Sequence, residues 1–469
     1  MSKKVIIDVG LAFSMERFSK LFNDSLYNII YIGEKEHVAT VSKGVTSNKV
    51  EYISYEDLYS YDQSELTPED KEKITDVVNY VVNDKLTTEL MDRTMSSMFL
   101  NYSTKNDVKL IKMTISAYKY VVKQQPEFML LYECCHNIRS WVVAKVCEFC
   151  NIPVRYCREH IFTWRNVLLE GMCKHPRLLG DDVINDKFSE WEYNMFLDVE
   201  SKYSIGGDAI KAEYMEVLKA KKSKKIYSLK REILEHWKTP SKVVYKHLCY
   251  KAMEKVCTTD IPKHYIVFFL HLQPERTTLP EGYGFTQQYK ALSLLNELVP
   301  EGWKIVVKEH PATIYKYCNP TGRWPEFYKA IASLRNVVMV PLETDTYKLL
   351  GNSTCAATIT GTTARESLMM GKPVITFGID AYFGNKPIGI YNYEDDRSLM
   401  AFLSSIKELN PNEIKDSFRK YIHDFFMVTG TLGVNSNETW SNKPSAMAER
   451  NNVSRYKLLY YALTGKNNG

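Results

Sequence analysis

Residues 337–377 read VVMVPLETDTYKLLGNSTCAATITGTTARESLMMGKPVITF. Three short apolar runs, Val337–Val340, Cys355–Ile359 and Val374–Phe377, have the length and bounding turns of buried strands. Between them, Thr344–Asn352 and Thr362–Met370 have the length and spacing of helices. The first opens on Thr344 or Asp345, both N-cap residue types. The second closes at Gly371, where a helix readily ends on a left-handed residue. Strand, helix, strand, helix, strand predicts parallel strands joined by right-handed crossovers.

The same rhythm runs upstream. Tyr265–Leu270 and Trp303–Val307 read as strands, and Gly284–Leu298 and Phe327–Ala332 as helices. An independent set opens the chain: strands Val5–Val9, Tyr27–Ile32, Val50–Ile53, Phe128–Tyr132 and Ile152–Tyr156, with a helix over Asn137–Cys150. Thr67–Gln125 reads as a long helical stretch between two of those strands. The expected organisation is a Rossmann-like domain with a helical insertion (1–181) and a helical linker (182–261). A second Rossmann-like domain (262–394) and a C-terminal helical extension (395–469) follow. With 469 residues the chain is long enough for two cores.

Composition excludes several classes. Hydrophobic residues make up 45% and charged residues 25%, so the chain is neither disordered nor collagenous. A net charge of +5 over this length does not mark a nucleic-acid binder, and none is expected as a partner. No run approaches a membrane span. The start, MSKKVIIDVG, lacks the apolar core of a signal peptide, so a cytoplasmic location is expected. The ten cysteines then read as mostly buried thiols. Cys147-Glu-Phe-Cys150 has metal-like spacing, but no second pair follows, and no metal or cofactor is assigned. The lysine cluster Lys219-Ala-Lys-Lys-Ser-Lys-Lys225 reads as a solvated helix face or linker. Its sharper reading is peripheral contact with anionic lipid on the cytoplasmic face of the inner membrane, or with a phosphate-linked acceptor.

Chemistry concentrates at three strand ends of the 262–394 region. Gly361 ends a strand and lets a turn approach a ligand closely. Thr362 and Thr363 follow at a helix start, where backbone N–H groups and the helix dipole favour a phosphate. Glu366 lies one turn further on and can accept from two ribose hydroxyls. A plain capping box, Thr363 with Glu366, explains the same residues structurally. His310 follows the strand Trp303–Val307 and is held by Pro311. A protonated or N–H-donating imidazole there could stabilise a departing phosphate. The loop after Tyr265–Leu270 carries His271, Gln273, Glu275, Arg276 and two threonines. These strand ends fall on the sheet edge where open α/β folds bind ligands.

As a set, LHLQPERTT, VKEHP and GTTARESLMMGKPVITFG resemble bacterial capsule polysaccharide biosynthesis proteins, over residues 262–380. The His-Pro and Ser/Thr-rich pair also resembles bacterial sialyltransferases, keto-sugar-acid transferases and teichoic-acid polymerases, which use CMP-sugars or CDP-glycerol. The resemblance implies a GT-B fold: two Rossmann-like domains facing a cleft, with helical insertions. It implies a glycosyltransferase with a nucleotide-sugar donor and a glycan or lipid-linked acceptor. His310, Thr362 and Thr363 would hold the nucleotide phosphate, and Glu366 the ribose.

The base that activates the acceptor is expected from the N-terminal domain. Glu159 ranks first, at the end of the strand Ile152–Tyr156, followed by Asp8 at the end of the first strand. Glu133, His136 and His160 are further strand-end candidates. No Walker loop, HExxH, GxSxG or clear DxD motif is present, and Asp181-Asp182 lacks a strand before it. That points away from kinases, zinc proteases, hydrolases and metal-dependent GT-A enzymes. Two alternatives stay open: a nucleotide-sugar 2-epimerase, and a non-catalytic protein that binds nucleotide sugars or glycans.

Overall fold

In a computed structural model, the described residues are 3–60, 67–95, 104–135, 137–160, 166–179, 193–194, 196–197, 200–201, 240–273, 275–315, 322–424 and 444–466. The lysine cluster 219–225, Asp181-Asp182 and His136 lie outside them. The chain forms two compact units. One comprises Met1–Met95, Asn101–Glu192 and His423–Gly469; the other is chiefly Tyr193–Ile422. The fold is α/β, with two Rossmann-like units, each built on a largely parallel sheet.

The first unit is built on β1 (Lys4–Asp8), β2 (Asn28–Gly33), β3 (Val50–Ser54), β4 (Met129–Leu131), β5 (Val154–Glu159), β6 (Asn166–Glu170) and β7 (Arg177–Leu179). Their order is β3-β2-β1-β4-β5-β6-β7. β1 to β5 are parallel, with Ile6 beside both Ile30 and Met129. Val5, Ile6 and Ile7 are wholly buried because helices cover both sheet faces, which is why the strand reads as a continuous apolar run. β6 and β7 extend the sheet antiparallel, so a short strand does end at Leu179, two residues before Asp181, where none was expected.

Helices α1 (Met15–Asp24), α2 (Lys35–Gly44) and α3 (Tyr55–Tyr59) link and follow the first strands. α4 (Pro68–Glu72), α5 (Ile74–Val82), α6 (Lys85–Met95) and α7 (Thr104–Gln124) resolve the expected helical insertion. α8 (Ile138–Phe149) is capped by Asn137 Oδ1, which accepts the Ser140 N–H at 3.0 Å. α8 is buried nearly all round. Its Trp141 donates Nε1–H to Thr87 Oγ1 at 2.7 Å, so the indole's polar edge is satisfied.

The second unit has β8 (Tyr265–Phe269), β9 (Lys304–Lys308), β10 (Val337–Val340), β11 (Cys355–Thr358), β12 (Val374–Thr376) and β13 (Ile390–Asn392). All are parallel, in the order β10-β9-β8-β11-β12-β13. Its helices are α9 (Pro240–Val256), α10 (Gln288–Leu298), α11 (Pro311–Tyr315), α12 (Pro325–Ala332), α13 (Thr346–Asn352), α14 (Thr363–Met369), α15 (Asp396–Ser405) and α16 (Pro411–His423). Asp345 caps α13, accepting the Lys348 N–H at 2.7 Å. Gly371, at φ +70°, closes α14, and a Cβ there would meet the Pro411 carbonyl at 2.5 Å. The core gathers Ile266, Phe268, Leu292, Ile305, Tyr328, Ala357 and Phe377.

α17 (Pro444–Thr464) returns to the first unit. Leu459 and Leu463, both wholly buried, pack with Phe18, Phe22 and Leu168. Each such leucine contributes roughly 1.5–3 kcal/mol. Tyr460 also donates its hydroxyl to Asp24 Oδ2 at 2.6 Å. Among the described residues no helix is long and apolar enough to cross a membrane.

Candidate active site

An open parallel sheet binds ligands where successive connections leave in opposite directions, because the loops there part. In the second unit that point lies between β8 and β11. His271 stands on it, two residues beyond β8. Its Nε2 lies 2.9 Å from the hydroxyl of Thr358, the last residue of β11, and receives the N–H groups of Ile359 and Thr360 at 3.2 and 3.3 Å. Thr358 Oγ1 in turn accepts the Gly361 N–H at 3.1 Å. With donors converging on Nε2, the ring proton belongs on Nδ1. Burial, reinforced by nearby Arg323 and by His310 when it is protonated, pushes the imidazole down to about 3, so it is neutral at physiological pH.

The loop bearing His271 is fixed at its backbone. Gln288 accepts the His271 N–H at 2.7 Å and donates to its carbonyl at 3.1 Å. This explains why α10 begins at Gln288 rather than at Gly284, whose φ of +91° belongs to the preceding turn. Gly361 has a local reason too. A Cβ there would sit 2.7 Å from Thr358 Oγ1 and 3.2 Å from His271 Cε1.

Thr362 is the N-cap of α14, in helical rather than extended conformation, and makes no capping hydrogen bond. Its hydroxyl donates to Glu366 Oε1 at 3.3 Å. Thr363 is buried. The side-chain cap expected of a Thr363–Glu366 box is not made.

His310 follows β9, and its N–H donates to Glu309 Oε1 at 2.7 Å. Burial lowers its pKa; Glu309 opposes that shift, while Lys308 and Arg323 reinforce it. Of the two states considered for this imidazole, the neutral N–H donor is therefore the one favoured at neutral pH. Lys308 is buried beside it, donating to Thr346 Oγ1 at 2.7 Å, and burial pushes its ammonium down to about 8.

Gln273, Glu275 and Arg276 are engaged in the loop itself. Gln273 donates to the Thr286 carbonyl and accepts from Arg323 Nη1 at 2.8 Å. Glu275 is exposed and accepts the Thr277 hydroxyl at 3.0 Å. Arg276 pairs with buried Glu281 at 3.2 Å. Sequence reasoning missed Lys308, Glu309, Gln288 and Arg323. Lys308 and Glu309 sit inside the VKEHP stretch that flagged His310, and two charges closing an apolar strand were the available signal.

In the first unit the switch point lies between β1 and β4. Asp8, the last residue of β1, accepts the Tyr55 hydroxyl on Oδ2. Burial raises its pKa and the nearby Glu34 adds to the rise, while Tyr55, Ser140 and the Gly10 backbone oppose it. Glu159 stands further toward the sheet edge. β5 continues to Glu159 instead of ending at Tyr156, because Asn166 of β6 pairs beside it. Arg455 from α17 lies 3.6 Å from Glu159 and 3.0 Å from Glu133, and donates to Asn166 Oδ1 at 3.0 Å. His160 is buried.

Among the described residues no group of three His, Cys, Asp or Glu side chains could hold a metal. Burial pushes the Cys150 thiol up to about 11 and that of Cys157 up to about 12, so both are protonated at neutral pH.

No protein-family profile matches the chain, and no curated protein is similar to it in sequence. Solved structures that it resembles include a glycosyltransferase from Rickettsia africae, at 11% identity over 98% of this chain and 99% of that one, with a TM-score of 0.29. Another is KpsC, a beta Kdo 2,4 transferase from Thermosulfurimonas dismutans, at 14% identity over 60% and 79%, with a TM-score of 0.29. A third is the UDP-GlcNAc 2-epimerase of Neisseria meningitidis bound to UDP-GlcNAc, at 12% identity over 90% and 99%, with a TM-score of 0.21. None is similar enough to lend this chain its activity.

Proposed function

We propose that the chain is a glycosyltransferase of capsule or other surface-polysaccharide assembly. It moves a sugar from a nucleotide-activated, CMP-linked donor to a glycan or lipid-linked acceptor, on the cytoplasmic side of the membrane and without an obligatory metal. One observation carries the donor reading: at the β8/β11 switch point a neutral imidazole ties together the two parting strand ends, beside the Gly361-Thr362-Thr363 turn.

In this reading His310 and the Gly361–Thr363 turn face the phosphate that leaves, and Glu366 takes the ribose hydroxyls. Neutral N–H donors stabilise developing negative charge when they are held in place before reaction. His271 adds its Nδ1–H from a ring that cannot rotate without losing its Nε2 partners. Asp8 is the base that takes the acceptor's proton. Its raised pKa, at a switch point of its own sheet, suits it better than the ion-paired Glu159.

Thermal shift with CMP, CDP, UDP, GDP and ADP at equal concentration tests the donor, because a ligand of the native state raises stability by RT ln(1 + [L]/Kd). The largest rise is expected from CMP or CDP. It should survive chelation of divalent ions and fade in His310→Ala. A larger rise with UDP would refute the cytidine donor and favour a UDP-sugar transferase or a 2-epimerase. Binding without donor turnover would leave a nucleotide-sugar or glycan-binding protein.

A further inference from the structure

The second unit contains a buried ion pair that the donor chemistry above does not use. Arg323 is fully buried, just ahead of α12, and Glu309 ends the strand-to-loop run before His310. All five guanidinium N–H donors have acceptors. Nε reaches Glu309 Oε2 at 2.6 Å. Nη1 reaches Gln273 Oε1 and the Gly322 carbonyl, each at 2.8 Å. Nη2 reaches the His271 carbonyl at 2.9 Å and Glu309 Oε1 at 3.1 Å. The face of Phe327 lies 4.6 Å from the guanidinium carbon. Glu309 is equally occupied, taking the His310 N–H at 2.7 Å and the Tyr328 hydroxyl at 2.9 Å.

One guanidinium–carboxylate pair thus holds the backbone of both histidine-bearing loops, by the carbonyl of His271 and the amide of His310. We propose that Arg323, acting through Glu309, is a positioning residue that sets the His271 and His310 imidazoles at a fixed spacing for one ligand. This rests on the donor-site reading above.

Three observations favour positioning over mere stability. A buried ion pair is a poor device for stability, since apolar side chains of similar volume often do as well. The pair does not sit among core side chains alone but spans the loops after β8 and β9. Its geometry also needs a planar five-donor fork, which a lysine with three donors on a point charge cannot reproduce. Gly322 fits the same purpose: a Cβ there would lie 2.2 Å from the Gln273 carbonyl oxygen.

The test uses the full chain and the double variant Arg323→Met with Glu309→Leu, which removes both charges together and leaves neither stranded. Arg323→Lys is run beside it. Two readouts are taken: CMP affinity by calorimetry, and the imidazole nitrogen signals of ¹⁵N-histidine-labelled protein between pH 5 and 8. In the parent, His271 should hold one tautomer and not titrate. In a folded double variant, CMP affinity should fall about ten- to hundredfold, the loss expected for a misplaced charge-assisted hydrogen bond. The His271 ring should begin to titrate, and lysine should not restore either property.

A folded double variant with parental affinity and parental imidazole signals would overturn the proposal. If the parent binds none of CMP, CDP or UDP, the nucleotide reading fails. The imidazole signals then decide the positioning claim alone: altered, it stands; unaltered, it falls. If the double variant does not fold, Tyr328→Phe removes one hydrogen bond to Glu309. About fivefold weaker CMP binding is expected there, and unchanged binding and signals would refute the proposal.

Discussion

Gly361→Ala adds one methyl group at the centre of the candidate donor site. The backbone there lies outside the left-handed region, so the substitution is free of torsional strain and the effect is purely steric. The added Cβ would lie 2.7 Å from Thr358 Oγ1 and 3.2 and 3.3 Å from His271 Cε1 and Nε2. The first contact cannot persist, so the hydroxyl, the ring or the turn must move. Overpacking of this kind costs about 1–3 kcal/mol. The hydrogen bond from Thr358 to His271, and those from Ile359 and Thr360 to the same nitrogen, are the ones that must yield. The assay is native-state hydrogen exchange, which reports local opening directly. Ile359 and Thr360 amides should exchange about 5- to 150-fold faster than in the parent, the ratio that such a cost implies. First-unit amides on β1 and β2 should be unaffected. Nucleotide affinity should fall in parallel, since the ring that moves is His271. Exchange within threefold of the parent at both amides would show that the turn tolerates a Cβ, and the close approach would then explain nothing about this glycine.

Three further outcomes follow from the same geometry. His310→Ala should leave the circular dichroism spectrum intact and slow transfer about 10²–10³-fold, the effect of losing one preorganised donor; turnover within threefold of the parent removes it from the mechanism. Asp8→Asn should raise the melting temperature while lowering transfer. The folded carboxyl has a raised pKa, so its ionisation weakens the fold as pH climbs past the ordinary carboxylate value, and the amide escapes that penalty. A lower melting temperature would contradict the desolvation account. Acid titration should also destabilise the second unit. His271 is near 3 when folded against 6.5 in the reference state, and the His310 shift has the same sign, so the unfolded chain binds more protons between those values. Stability is then fully present above about pH 6.5 and lost as pH falls toward 3, and His271→Gln should flatten that slope in urea melts taken from pH 7 to 4.

Both sheets were legible because fully buried parallel strands are continuous apolar runs, and runs such as Val5–Val9 and Trp303–Val307 admit few other readings. What escaped is what apolar patterning does not encode. β13 is three residues long, and β6 and β7 form an antiparallel edge that a strand–helix rhythm does not announce. The polar strand ends were legible as positions, since His271, His310 and Gly361 all follow β-runs. Their partners were not. Arg323 lies 52 residues from His271 and 14 from Glu309, and Gln288 lies 17 from His271. Such distances along the chain close only once the sheet order is known. The Gly-Thr-Thr segment shows the converse. A local pattern suggested a capping box between Thr363 and Glu366, yet Thr362 occupies the cap and the glycine's tightest neighbours are Thr358 and a histidine from another loop.

The charge balance of the second unit bears on which donor suits it. Both imidazoles are pushed toward their neutral forms. Arg323 is matched by Glu309, and Arg276 by Glu281. Lys308 keeps its proton weakly, near pH 8, with Asp345 and Glu343 the carboxylates that favour it. Around His271 and His310, then, two arginines are already answered by carboxylates, and oriented N–H groups stand beside the Lys308 ammonium, with Arg365 a further cation on α14. Oriented dipoles stabilise a single developing charge well, because they need no reorganisation as it forms. Two adjacent phosphates carry more charge and are often met by a metal or by arginines in addition to such dipoles. On the proposed reading, neutral donors of this kind would serve a donor with one phosphate, and the comparison of CMP with CDP and UDP by thermal shift tests that reading.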